Sequence, residues 1–126
     1  MILKNSLYKI VGKTMQEEAV CYEIALDATH TIYQAHVPGE PITPGACLVQ
    51  ITQELVEDHL HLACRLKAIK NVKFLSVLSP VNHPRVTYVL EKVEALSDTD
   101  YQVTAQVSDP LSSVIFAKLS LHLSKN

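Results

Sequence analysis

The chain has 126 residues, 48% of them apolar, and a formal net charge of −2. That length and apolar content suit one domain around one core, spanning 1–126, and no basic run marks a nucleic-acid surface. No apolar stretch reaches the roughly 18 residues that cross a bilayer, and residues 1–6 lack the apolar centre of a secretory signal, so a cytoplasmic protein without a membrane span is expected.

In chain order, residues 7–29 come first and alternate loosely. Tyr8 and Ile10 fall on one side. After a polar break at Gln16-Glu17-Glu18, the series Val20, Tyr22, Ile24 and Leu26 has the period of two of a half-buried strand. A short extended piece is expected at 31–35. Residues 36–45, His-Val-Pro-Gly-Glu-Pro-Ile-Thr-Pro-Gly, then form a stiff loop, because Pro38, Pro41 and Pro44 fix three φ angles and remove three donors. From Pro44 to about residue 64 the pattern is that of one helix. Thr43 is a suitable N-cap, and Pro44 stands at the first helical position, where its missing N–H costs nothing. Leu48, Ile51, Leu55 and Leu62 mark its apolar face. Gln50, Glu54, Glu57, Asp58 and His61 make a polar stripe on another face. Four strands follow at about 68–77, 85–95, 101–108 and 112–123. They are separated by turns at Ser79-Pro80, 97–100 and Asp109-Pro110, and the alternation slips near Ala117, as at a β-bulge. Strands, a proline loop, one long helix and four strands make an α+β protein, whose single helix is best buried by a sheet that curls around it.

Cys21, Cys47 and Cys64 are odd in number and widely spaced, which suits free thiols in a reducing compartment. His59 and His61 are two apart on a helix and cannot share a metal. His83 in a turn, His122 on a strand and Ser112-Ser113 carry no catalytic pattern. Glu57 and Asp58 read most simply as a solvated helix face.

The stretch His36-Val37-Pro38-Gly39-Glu40-Pro41-Ile42-Thr43-Pro44-Gly45 resembles the signature of the bacterial (3R)-hydroxyacyl-acyl carrier protein dehydratases of the FabZ/FabA type. That signature is a His, an aromatic, Pro-Gly and then Pro-x-x-Pro-Gly, and Val37 stands where the aromatic is usual. Lys73-Phe74 followed by Pro80-Val81-Asn82 is similar to the family's Lys-Phe and Pro-Gly-Asp, with Val for Gly and Asn for Asp. The resemblance implies a hot-dog fold, an antiparallel sheet around a central helix. It implies a homodimer or a higher even oligomer, with a heterodimer also open. The implied activity is that of a lyase of fatty-acid-like lipid biosynthesis. It would dehydrate a 3-hydroxyacyl thioester, on acyl carrier protein or coenzyme A, to the 2-enoyl thioester, without metal or other cofactor.

Such a reaction needs a base for the α proton, a donor for the thioester oxygen and a proton for the departing hydroxyl. His36 suits the first role, since imidazole titrates near neutral pH. Pro44, Gly45 and Ala46 suit substrate binding at the helix tip. There the Gly45 N–H lacks an intrahelical partner, the helix dipole is positive, and no Cβ obstructs approach. The third role falls where the chain departs from the pattern. The helix carboxylate expected five residues after Gly45 is Gln50, and the Gln that often follows one turn later is Glu54, as if the pair were exchanged. A carboxamide can orient a hydroxyl but delivers no proton at neutral pH. Three outcomes stay open: His36 works alone with Gln50 orienting the hydroxyl, Glu54 acts through a water, or the protein binds thioesters with little or no turnover as a partner module. A hot-dog thioesterase using Glu54 is the other alternative.

Overall fold

The computed structural model describes residues 2–34 and 41–126. Its elements are β1 (Tyr8–Gln16), β2 (Ala19–Leu26), a 3₁₀ turn (Thr31–Tyr33), α1 (Gly45–Leu60), β3 (Cys64–Phe74), β4 (Arg85–Ala95), β5 (Asp100–Ser108) and β6 (Ile115–Lys125). The strands form one antiparallel sheet in the order β1-β2-β4-β5-β6-β3. Its inner face is built by the expected alternation. Val20, Tyr22, Ile24 and Leu26 of β2 are buried, as are Val86, Tyr88 and Leu90 of β4, Val103, Ala105 and Val107 of β5, and Leu119, Leu121 and Leu123 of β6. Onto that face α1 presents Cys47, Leu48, Ile51, Leu55 and Val56.

The curl has a local cause. Register shifts interrupt every ladder except β2–β4, and each such irregularity bends its strand and increases its twist. One of them, where β5 meets the start of β6, pairs Val107 with Ala117 and Ser108 with Ile115. Phe116 and Ala117 are therefore both buried in succession, which is the slip that the sequence shows.

Three sequence expectations are corrected. Residues 31–33 form a 3₁₀ turn instead of an extended piece, because the His30 imidazole Nδ1 accepts the Ile32 N–H at 3.1 Å and caps it. Helix α1 ends at Leu60 instead of near residue 64. His61 takes the left-handed conformation (φ 55°) and donates its N–H to the Glu57 carbonyl. The chain then enters β3 at once, since Glu57 Oε2 accepts the Cys64 N–H at 2.8 Å and the Gln53 amide donates to the Cys64 carbonyl at 2.8 Å. Thr43 does not cap the helix. The N-cap position is Pro44, with no side-chain cap, and Gly45 is the first helical residue. The Thr43 hydroxyl is 2.9 Å from the Tyr33 hydroxyl, and its N–H donates to the Leu78 carbonyl at 2.8 Å, so both of its polar groups are used elsewhere.

Candidate active site at the helix tip

The proline loop hands the chain to α1 with an unusual electrostatic result. Pro44 has no N–H and no side-chain acceptor, and Thr43 is turned away. The Cys47 and Leu48 N–H groups both reach back to the Pro44 carbonyl, at 3.0 and 3.4 Å. Among the described residues, the N–H groups of Gly45 and Ala46 have no acceptor. Two unpaired amides at the positive end of a four-turn helix form a site for developing negative charge. Gly45 borders a pocket of about 350 Å³ whose walls also include Ile42, Pro44, Leu48, Phe74 and Leu78.

Gly45 is required there by packing. A Cβ at this position would run into the tip of the Phe74 ring, with Cε1 and Cε2 at 2.9 Å. Phe74 ends β3 and is 57% exposed, so the ring leans over the helix tip from solvent. The sequence singled out Lys73-Phe74 as a motif, but nothing in its spacing assigned the ring to Gly45.

The polar stripe of α1 carries a set of clamps, which corrects the reading of Glu57 and Asp58 as a solvated face. Glu54 is 6% exposed. Its Oε1 accepts the Lys4 N–H at 2.7 Å and the Tyr8 hydroxyl at 3.0 Å, while its Oε2 accepts the Leu3 N–H at 2.8 Å and the Gln50 amide at 2.8 Å. A carboxylate has about four acceptor positions, and here each is matched by a protein donor. Burial first, and then the adjacent Glu54 charge, push the Tyr8 phenol far above its ordinary range. Asp58 accepts from the Tyr22 hydroxyl at 2.6 Å and from Lys4 Nζ at 3.1 Å. Its partial burial pushes the carboxyl up, but those two hydrogen bonds and the charges of Lys4 and Lys13 outweigh it, leaving the group below the usual carboxylate range.

The described residues thus bring together Pro44, Gly45 and Ala46 at the tip and join Gln50 to Glu54 one turn apart. His36 lies outside the described residues, as do Ala35 and residues 37–40 of the loop. No helix among the described residues is long and apolar enough to cross a membrane.

One long helix wrapped by a six-stranded antiparallel sheet is the hot-dog fold, the architecture of thioester dehydratases and thioesterases. The dehydratase heterocomplex ApeI:P from Xenorhabdus doucetiae superposes with a TM-score of 0.72 at 14% identity, over 91% of this chain and 96% of that one. A thioesterase from Pseudomonas aeruginosa gives 0.63 at 16% identity, over 94% and 80%. A hypothetical thioesterase from Streptococcus pneumoniae, solved with coenzyme A, gives 0.64 at 10% identity, over 94% and 85%. At these identities the likeness shows the fold. The sequence itself carries the closer assignment: the model of the ApeI-like family, described as ApeI dehydratase, matches residues 12–114. The chain belongs to the ApeI-like dehydratase family. No curated protein matches it.

Two measurements test the clamps. Glu54→Gln exchanges one acceptor oxygen for a donor facing donors, and is expected to lower unfolding free energy by about 3 kcal/mol, read as a lower urea midpoint at unchanged slope. Asp58, held below its ordinary value in the folded chain, contributes stability that is fully present above the unfolded-state value of about 3.9 and lost as pH falls through the folded one. Asp58→Asn should therefore flatten the acid limb of the stability profile below about pH 4 and leave its shape near neutrality unchanged.

Proposed function

We propose that this protein dehydrates a 3-hydroxyacyl thioester to the 2-enoyl thioester, the substrate class of the FabZ/FabA-type enzymes that its proline loop resembles. The observation that carries the reading is the helix tip, where the amides of Gly45 and Ala46 have no acceptor among the described residues and Gly45 lines a pocket. In the proposed reaction the thioester oxygen lies against these N–H groups. His36 removes the C2 proton, and the electron pair of that C–H bond becomes the C2=C3 double bond. The C3–O bond breaks, and the proton held by His36 goes to the departing hydroxyl, which leaves as water. Charge that builds on the thioester oxygen is stabilised by amides already oriented for it.

Gln50 is the residue assigned to orient the C3 hydroxyl. Glu54 holds Gln50 and does not act on substrate in this scheme, since its acceptor positions are occupied by Leu3, Lys4, Tyr8 and Gln50. The same occupancy weighs against the thioesterase reading, which needs a carboxylate able to activate water. His36→Ala is expected to lower enoyl formation at least ~100-fold, in line with the loss of a general base. An unchanged rate would remove His36 from the chemistry, and no enoyl formation by the wild-type protein would make it a binding partner. Replacing Gln50 with Glu places two carboxylates at hydrogen-bond distance, where one must keep its proton. Gln50→Glu should therefore raise dehydration several-fold, with a new acid-form dependence in the pH–rate profile. Thiol release outpacing enoyl formation on one 3-hydroxyacyl substrate would move the assignment to hydrolysis.

A two-subunit assembly is part of the same proposal. Strand β3 is a sheet edge, and an edge leaves a row of backbone donors and acceptors unpaired. Leu66, Ile69 and Phe74 are exposed along it. A second subunit continuing the sheet there would cover them, and the similar ApeI:P dehydratase is by its description a heterocomplex. Arg65, Lys67, Lys70 and Lys73 lie on β3 with no acidic residue, so a related subunit with an acidic edge suits it better than a second copy. Ile69→Asp is expected to convert the assembly to single subunits by native mass spectrometry. An oligomer that survives the change would place the interface elsewhere.

A further inference from the structure

The pocket at the helix tip has a neighbour. Ile42 and Val77 line it and also line a second pocket of about 410 Å³. This outer pocket has an apolar side, made with Pro41 and Val81, and a polar side made by Ser79, Asn82 and His83. His83 is fixed from three directions. Its N–H donates to the Ser79 carbonyl at 2.8 Å. Its Nδ1 lies 3.6 Å from Asp109 Oδ2. Its ring packs edge-on against the buried Phe116, with centroids 4.9 Å apart and planes at 70°. Asp109 is held in turn by the Ser112 hydroxyl at 2.6 Å. With Nδ1 turned toward Asp109, Nε2 is the ring's remaining polar atom for a ligand in the pocket that His83 lines. Among the described residues, no ladder or cap uses this imidazole.

We propose that the outer pocket receives the pantetheine arm of the thioester, with His83 anchoring its amide and hydroxyl groups. The proposal rests on the thioester reading of the inner pocket. A thioester whose oxygen meets Gly45 sends two chains away from that point. The acyl chain beyond C3 is hydrocarbon and offers nothing to an imidazole. The arm on the sulfur alternates methylenes and a dimethyl carbon with two amides and a hydroxyl, which matches apolar walls ending in Ser79, Asn82 and a prearranged ring. His83 is thus a positioning residue for the carrier side of the substrate, and Asp109 sets the ring's orientation. Coenzyme A and acyl carrier protein present the same arm.

Unreactive thioethers test this without requiring turnover. S-butyl pantetheine is compared by calorimetry with S-butyl N-acetylcysteamine, which has the same sulfur end but lacks the outer amide and hydroxyl. The wild-type protein should bind the first at least about tenfold more tightly, His83→Ala should reduce that ratio to within about twofold, and His83→Gln, which keeps a polar group of similar size, should recover part of it. A wild-type ratio near one overturns the proposal, as does a ratio that survives unchanged in His83→Ala. S-butyl coenzyme A and carrier protein charged with the same thioether then identify the source of the arm, by which of them gains over the free pantetheine compound. Dehydration of a 3-hydroxyacyl N-acetylcysteamine thioester is measured separately. Its absence alongside an intact binding ratio would remove the enzymatic reading and leave the pantetheine site standing.

Discussion

The Glu54 carboxylate is nearly enclosed at mid-helix, and its two oxygens take hydrogen bonds from Leu3, Lys4, Tyr8 and Gln50. A charge removed from water this far is tolerated only when donors replace the lost hydration. Two of these donors are backbone amides of the N-terminal segment, so the segment must lie along the helix for the charge to be satisfied. Tyr8 opens β1, and its hydroxyl ties the first strand to the same point. One turn later Asp58 repeats the arrangement with Lys4 and Tyr22, and Glu57 takes the first amide of β3. The helix is therefore fixed on its apolar face by packing and on its polar face by hydrogen bonds to β1, β2 and β3. That double attachment sets where its N-terminus stands, and so where the amides of Gly45 and Ala46 are offered.

Much of this was readable from residue order, for a definite reason. A strand with one buried face must alternate, so β2, β4, β5 and most of β6 announce themselves, and the slip at Ala117 marks a register change because two neighbours, Phe116 and Ala117, are both buried. The helix start was legible from Pro44, which bars the preceding turn from helix. What escaped was decided by partners distant in sequence. Thr43 is a good cap by type, yet Tyr33 and Leu78 take its two polar groups. Glu57 and Asp58 look like surface charges until Cys64, Lys4 and Tyr22 supply their donors. The 3₁₀ turn at 31–33 hides behind residues that favour strands, because a single imidazole hydrogen bond from His30 outweighs that preference. At the site, Gly45 was visible through its motif and its place in the first turn, and Phe74 only as half of a motif, while the contact of Phe74 with Gly45 and the pairing of His83 with Asp109 were not, since only the folded chain brings β3, the turn before β4 and the turn after β5 to that end of the sheet.

The exchange of carboxylate and amide between positions 50 and 54 bears on the proton economy of the site. One carboxylate and one amide, four residues apart on a helix, make a single hydrogen-bonded unit whichever order they take. With the acid at the position nearer the tip, the charge would face substrate and the amide would face the N-terminal segment. Here the order is reversed, and the charge is spent on Leu3, Lys4 and Tyr8. A neutral carboxamide at position 50 neither adds negative charge near the Gly45 amides nor competes for the proton on an imidazole. Negative charge gathering on a thioester oxygen would then meet two aligned N–H groups and a helix dipole with no nearby ionised carboxylate on this stripe opposing them except the screened Glu54. In the proposed reaction this arrangement gives up a separate acid, typically worth 10²–10⁴-fold, and one imidazole would take and return the same proton. Such a transfer is feasible only if the C2 hydrogen and the C3 hydroxyl lie on one face of the substrate. A site built this way therefore depends more on how the thioester is held along its whole length than on the acidity of any second group.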